Sequence, residues 1–484
     1  MKTFTHRSGD PVTHSKFDHS SLRRPGHTFN HSVIQNLTNM AIILTESEAK
    51  ALLQKVLSYS KADECEANIL GEERGNLRYA RNEVSTSGSL INQNLQVQSA
   101  FGKKVGVATI DEFSDESIEK VVRRSEELAR LAPENPEYVG LLEPQTYLKS
   151  NGFFESTAGI NPGYRADAVA KSLDLTRTQN MTAAGFLENQ KGYSAMMNSK
   201  GLFAYYPSTS VNFSLTVRTP DGKGSGYVAK GYSDVNKLDT AAATKIAIQK
   251  SKGSVDAKAL EPGKYTVILE PTAAAVLLEN IFFNLDARSA DEGRSFLSKA
   301  GGKSKLNEKI VDERVNIYSD PTHPDLPASP WSGDGQAANK VNWIENGVVK
   351  NLVYSRYWAQ KNNVKPVPFP TNVIMAGGTA SMEELIKSTQ RGILVTKLWY
   401  IREVDPQTLL LTGLTRDGTF YIENGVIKHP IKNFRFNESP VIMLNNLETL
   451  GKPERVVSTE SNSNYLIPPM KIREFTFSSL SDAV

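Results

Sequence analysis

The chain has 484 residues, 39% apolar and 23% charged, the composition of a globular protein long enough for about two or three packed cores. A formal net charge of +3 gives no electrostatic support for binding nucleic acid or a membrane surface, and a single cysteine, Cys65, excludes an intrachain disulfide and any cysteine-cluster zinc site. The longest apolar stretch, Tyr265 to Phe283, is interrupted by Glu270, Pro271 and Glu279, and no apolar signal-peptide run opens the chain, so a reducing, cytoplasmic setting is expected.

Residues 1–39 are polar and carry His6, His14, His19, His27 and His31 at irregular spacing, which matches no zinc signature and reads as a disordered tail. Met40 is a candidate physiological start. Residues 40–150 then read as a helix-on-sheet α+β unit. Thr45 and Glu48 form a capping box, and Ala49, Leu52, Leu53, Val56 and Leu57 recur on one helix face. Strands are expected at 67–70, 76–80, 95–99 and 106–110, separated by Gly, Asn and charged turns such as the one ending at Gly75, with Cys65 beside the first as a buried structural thiol. Ser114 starts a second amphipathic helix, which carries Ile118, Val121, Val122, Ser125 and Leu128 and stops before Pro133.

Pro133, Pro136 and Pro144 mark a crossing into a central region, 151–258. A helix is expected from Tyr164 to Glu188, followed by strand sequence in which Val211, Phe213, Leu215 and Val217 alternate as on a half-buried strand. The run Gly222 to Gly226 lacks the Lys-Ser/Thr ending and the strand–helix frame of a phosphate loop, so it reads as a hairpin turn. Asp239 to Lys252 reads as an Ala-rich helix.

The β-rich region 259–484 opens on the stretch that organises the chain. Pro262-Gly263 turn into a strand, Tyr265 to Leu269, and Pro271 suits the first turn of a helix over Thr272 to Phe283. Further on, Asn346-Gly347 and Asn424-Gly425 sit in matching segments, 343–350 and 421–428, as type I′ hairpin signals, with Asp417-Gly418 as another turn. Ser381 and Glu384 cap a short helix ending near Gly392.

The stretch around Val276-Leu277-Leu278, the segments LRYARNEVSTSG and FGKKVGVATI with Arg81, Asn82 and Gly106, and the blocks WSGDG, LTGLTRDGTFYIENG and FRFNESPVIM together resemble the TldD/PmbA metallopeptidase family over about residues 40–477. The resemblance implies an α+β fold: an N-terminal helix-on-sheet domain, then a β-rich, barrel-like C-terminal domain. It places Glu279, Asn280 and Asn284 at the His, Glu and His of the HExxxH zinc motif that TldD-type members carry. It also places the third zinc ligand, a cysteine, in a segment that here runs from Ser458 to Pro469 without one. Carboxamides are poor zinc ligands, so the similarity is to the TldE/PmbA-type members that lack the motif.

The resemblance then implies no cofactor in this chain, zinc in a TldD-type partner, and cytosolic cleavage of unfolded peptides by a heterodimer. Two alternatives stay open: an independent hydrolase built on Glu279, and a peptide-binding or self-associating scaffold without chemistry. Outside the tail only His323 and His429 remain, each followed by proline and far from any paired spacing. Asp291, Glu292 and Asp334 are candidate cleft carboxylates. No partner among nucleic acids or membranes is expected.

Overall fold

The computed structural model describes residues 43–481. The expectations for the tail and for Met40 lie outside these residues. The first half is built on long strands: β1 (Glu64–Ala80), β2 (Glu83–Phe101), β3 (Lys104–Ile110), β4 (Thr182–Asn198), β5 (Phe203–Arg218) and β6 (Ser225–Tyr232). They form one antiparallel sheet in the order β3-β2-β1-β4-β5-β6, which runs through both the expected N-terminal and central regions.

Side-chain alternation explains how one sheet holds two cores. Cys65, Ala67, Ile69, Leu77 and Tyr79 all lie on one face of β1, and Ala183, Leu187, Tyr193, Ala195 and Met197 on the same face of β4. One end of this face packs under the helices Glu46–Ser58 and Asp115–Leu131, the other under Pro162–Thr178 and Thr240–Gly253. The capping box at Thr45, the Ser114 cap and the Asp239 cap all form. The alternating Val211, Phe213, Leu215 and Val217 are buried, and residues 219–224 make the β5–β6 turn.

Two sequence readings are corrected. The strands expected at 67–70 and 76–80 are one continuous strand, because Gly75 marks a close approach and not a turn. A Cβ there would stand 2.0 Å from Nη1 of Arg165, whose buried guanidinium packs across the strand and donates to Asn189 Oδ1 at 2.8 Å. The helix expected over 164–188 stops at Thr178; Asn180 takes φ +52° and residues 182–188 pair with 212–218 as strand. Sheet pairing overrides the helical tendency of that segment.

The second half surrounds one helix, Pro271–Phe283, which is apolar on every side and buried throughout most of its length. The preceding strand, Gly263–Leu269, lies inside a nine-stranded mixed sheet, parallel to Arg391–Val395 and antiparallel to Met470–Leu480. This curved sheet forms a half-barrel around one side of the helix. A six-stranded sheet that includes Glu454–Val457 and Asn464–Ile467 covers another side. Asn346-Gly347 and Asn424-Gly425 adopt positive φ at both positions, as type I′ turns require. Asp417-Gly418 also turns with positive φ, but the strands on either side of it pair with other neighbours instead of each other. The Ser381 capping box forms, and its helix ends at Lys387, so that Gly392 falls within the next strand. The architecture is α+β with a β-rich C-terminal half.

No helix among the described residues is long and apolar enough to cross a membrane. The two halves are tied by Lys250 to Glu270 (2.6 Å), by Arg455 to Ser233 (3.3 Å) and by the group Lys397, Asp417 and Ser225. Glu270 is the N-cap residue of the central helix and makes no side-chain cap bond there; its carboxylate takes the Lys250 ammonium instead.

Candidate functional site

The central helix aims Glu279 at the loop between Glu454–Val457 and Asn464–Ile467. The Ser461 hydroxyl donates to Glu279 Oε2 at 2.7 Å, and the Tyr465 hydroxyl lies 3.4 Å from the same oxygen. Ser458 closes the loop, its Oγ accepting from the backbone N–H groups of Glu460 and Ser461. The helix position and the C-terminal segment picked out in the sequence thus meet in space.

Burial pushes the Glu279 carboxyl above the usual glutamate range, against the hydrogen bonds of Ser461, Ser458 and Tyr465; the nearby Glu460 charge adds to the rise. A carboxyl raised in the folded state contributes stability below its unfolded pKa and loses it as pH rises through the folded value. Glu279→Gln keeps an acceptor for Ser461 and removes the buried charge. The variant is therefore expected to be more stable than the parent at pH 7, with the difference closing as pH falls to about 4. Thermal unfolding of both proteins across that range measures it.

Asn280 and Asn284 do not join Glu279. Asn280 Nδ2 donates back to the Val276 carbonyl, and Asn284 Nδ2 to the Asn280 carbonyl, both at 2.8 Å, with Asn284 ending the helix as its C-cap. Each carboxamide is turned along the helix axis and not across the cleft. A catalytic zinc centre needs about three imidazole, thiolate or carboxylate ligands with one position open. Around Glu279 the structure offers one carboxylate, hydroxyls and back-turned carboxamides, and no three such ligands converge among the described residues. This donor set does not fit zinc.

Two cavities flank the loop. One, about 380 Å³, is lined by Phe282, Phe283, Tyr465 and Arg455 together with β5 residues such as Tyr206 and Ser210. The other, about 540 Å³, lies between the long sheet and Ser458, Asn462 and Asn464. Burial lowers the Arg455 guanidinium to about 10; it donates to the Asp325 carbonyl (2.9 Å) and forms no ion pair with a carboxylate among the described residues. Nothing in the spacing of the sequence singles out Arg455, Ser461 or Tyr465. The absence of cysteine from 458–469 was the one signal pointing to that loop.

The remaining candidates lie elsewhere. His429 stacks on Tyr421, with ring centroids 5.3 Å apart, and His323 Nδ1 accepts from the Asp325 backbone. Asp291 accepts from the Trp358 indole at 2.8 Å, Glu292 pairs with Arg288 and Arg294, and Asp334 lines a third cavity.

Comparison with known proteins agrees with this architecture. Residues 65–129, 160–254 and 262–479 match the models of domain 1, the central domain and the C-terminal domain of the PmbA/TldA metallopeptidases. A metalloprotease of Methanothermobacter thermautotrophicus is 24% identical over 289 residues, 54% of this chain and 61% of its own, so the chain spans under two thirds of that relative. Metalloprotease PmbA of Escherichia coli O157:H7 is 22% identical over 76% of this chain and 82% of its own. The crystal structure of TldE from Thermococcus kodakarensis superposes with a TM-score of 0.80 at 20% identity, covering 89% of this chain and 99% of that one. With all three of its domain models matched in order, the chain belongs to the PmbA/TldD metallopeptidase family.

Proposed function

We propose that this chain is a TldE-type subunit that holds no zinc of its own and works beside a TldD-type zinc subunit in the cytosolic cleavage of unfolded peptides. The observation that carries this reading is the donor set at the motif-equivalent positions. Asn280 and Asn284 are tied to carbonyls of their own helix, and what meets Glu279 from the 458–469 segment is the Ser461 hydroxyl. In this role the chain's residues bind and orient the peptide. Arg455 offers a cation to a carboxylate, and the aromatic wall of Phe282, Phe283 and Tyr465 takes apolar side chains. The zinc subunit supplies the hydrolytic chemistry.

The test is metal content and peptidase activity of the purified chain, alone and mixed with a TldD-type subunit. The expected result is no stoichiometric metal, no turnover alone, and turnover in the mixture above that of the zinc subunit by itself. One metal per chain with activity alone overturns the reading. The 2.7 Å contact between the Ser461 hydroxyl and Glu279 favours a second reading, an independent hydrolase in which the carboxylate activates that hydroxyl. It requires turnover by the chain alone that is lost in both Glu279→Ala and Ser461→Ala.

A further inference from the structure

The long sheet has two faces, and the helices cover only one. On the other, near the first strands, lies a cavity of about 740 Å³, walled by residues 137–141, 333–334 and 355–357 and remote in sequence from the loop at Glu279. Its floor carries Asn94, Gln96 and Gln98, alternate residues of β2 that project from the face opposite Leu95 and Val97. None of these three carboxamides hydrogen-bonds to another described residue. On β1 the residues opposite are Leu70, Asn68 and Glu66, and Asn68 donates to Glu66 at 3.0 Å. From Val84 to Phe101 β2 carries no charged residue at all.

Alternate residues on a strand recur at about 6.8 Å, and so do the N–H and C=O groups along one edge of an extended peptide. A carboxamide supplies one donor group and one acceptor, the complement of the pair that each such peptide residue presents. Three carboxamides in line therefore match residues i, i+2 and i+4 of a peptide laid along β2. This recognition reads backbone and tolerates any side-chain sequence. The charged lining sets a preference: Glu66 and Asp334 face the cavity against Arg356, and Glu137 there is already paired with Arg288. The wall is net negative, which favours a neutral or basic peptide over an acidic one.

We propose that Asn94, Gln96 and Gln98 form a backbone-reading ladder that holds about five residues of an extended, neutral or basic peptide, at a distance from the Glu279 loop. The proposal rests on the peptide-handling role given above and adds to it a separate holding site.

The experiment measures binding of a fluorescein-labelled ten-residue Ala/Ser/Thr/Lys peptide to the full chain by anisotropy. Saturable binding is expected, weakened about fivefold by each of Asn94→Ala, Gln96→Ala and Gln98→Ala, and on the order of a hundredfold by the triple variant. The same peptide N-methylated at every residue should not bind, and an Ala/Ser/Thr/Glu peptide should bind more weakly. Thermal unfolding of the variants should match the parent, because the three side chains have no hydrogen-bond partner among the described residues to lose. Unchanged affinity in the folded triple variant overturns the ladder, as does displacement of the peptide by a β-linked oligosaccharide. Activity in the two-subunit mixture without peptide binding at this face overturns the ladder alone. Neither binding nor activity in the mixture overturns both the ladder and the function it rests on.

Discussion

Asp417→Ala is expected to lower the stability of the chain by about 3–5 kcal/mol, the usual cost of stranding one member of a buried ion pair. The Asp417 side chain is 3% exposed and that of Lys397 12%, with 2.8 Å between Nζ and Oδ2. Ser225 of β6 donates to the other carboxylate oxygen at 2.6 Å, and the Lys397 ammonium lies 3.8 Å from the centre of the Tyr227 ring. The group therefore joins the half-barrel to the long sheet. Without Asp417, Lys397 keeps the Tyr227 ring among the described residues, and an aromatic face cannot balance a buried ammonium. Replacing both, as in Lys397→Met with Asp417→Leu, should recover most of the loss, since the pair also gives up its desolvation cost.

The pH dependence follows from the same carboxyl. Burial acts to raise its pKa, but the Lys397 charge, the hydrogen bonds from Lys397 and Ser225, and the nearby Arg416 outweigh it and hold the group below the usual aspartate range. A carboxyl depressed in the folded state contributes stability above its unfolded pKa of about 3.9 and loses it as pH falls through the folded value. Urea unfolding of parent and Asp417→Ala should show the largest gap at pH 7 and a narrowing gap below pH 4 or so. A constant gap down to pH 3 or so would mean that the carboxylate charge contributes nothing.

Gly106→Ala should cost about 3 kcal/mol, the upper part of the usual range for overpacking. A Cβ at this position in β3 would lie 2.2 Å from the Ala129 nitrogen, 2.3 Å from the Ser125 oxygen and 2.8 Å from the Leu128 carbonyl carbon. All three are backbone atoms of the helix Asp115–Leu131, so no rotamer change relieves the contact. The helix has to lift off the sheet and partly expose Ile118, Val121 and Val122, which are now buried. Gly102→Ala is the control. Its φ is +56° and nothing lies within 4 Å of the added carbon, so only the backbone cost of about 1 kcal/mol is expected. Equal losses in the two variants, measured by urea unfolding, would show that helix contact is not what requires glycine at 106.

Local chemistry was legible in the sequence wherever a few neighbouring residues settle the backbone. The caps at Thr45, Ser114 and Ser381, the Asn-Gly hairpins and the strand–Pro271–helix unit all formed as expected, because each depends on hydrogen bonds or φ preferences within about four residues. The family resemblance identified Glu279 and the cysteine-free segment after Ser458 as the place to look. The sequence by itself thus determined the local caps and turns, the family and the side chains available at the motif positions.

Tertiary structure decided the rest, and the reason is pairing across long separations. Gly75 looked like a turn because its partner, Arg165, is 90 residues away, and the segment 182–188 looked helical because the strand that holds it lies beyond the next turn. Only the folded chain brings Ser461 and Tyr465 to Glu279, turns Asn280 and Asn284 back onto their own helix, and lines up Asn94, Gln96 and Gln98 on a face that the helices leave open. The spacing of a sequence carries hydrogen bonds made within one turn; it carries no record of which distant group arrives to complete a site.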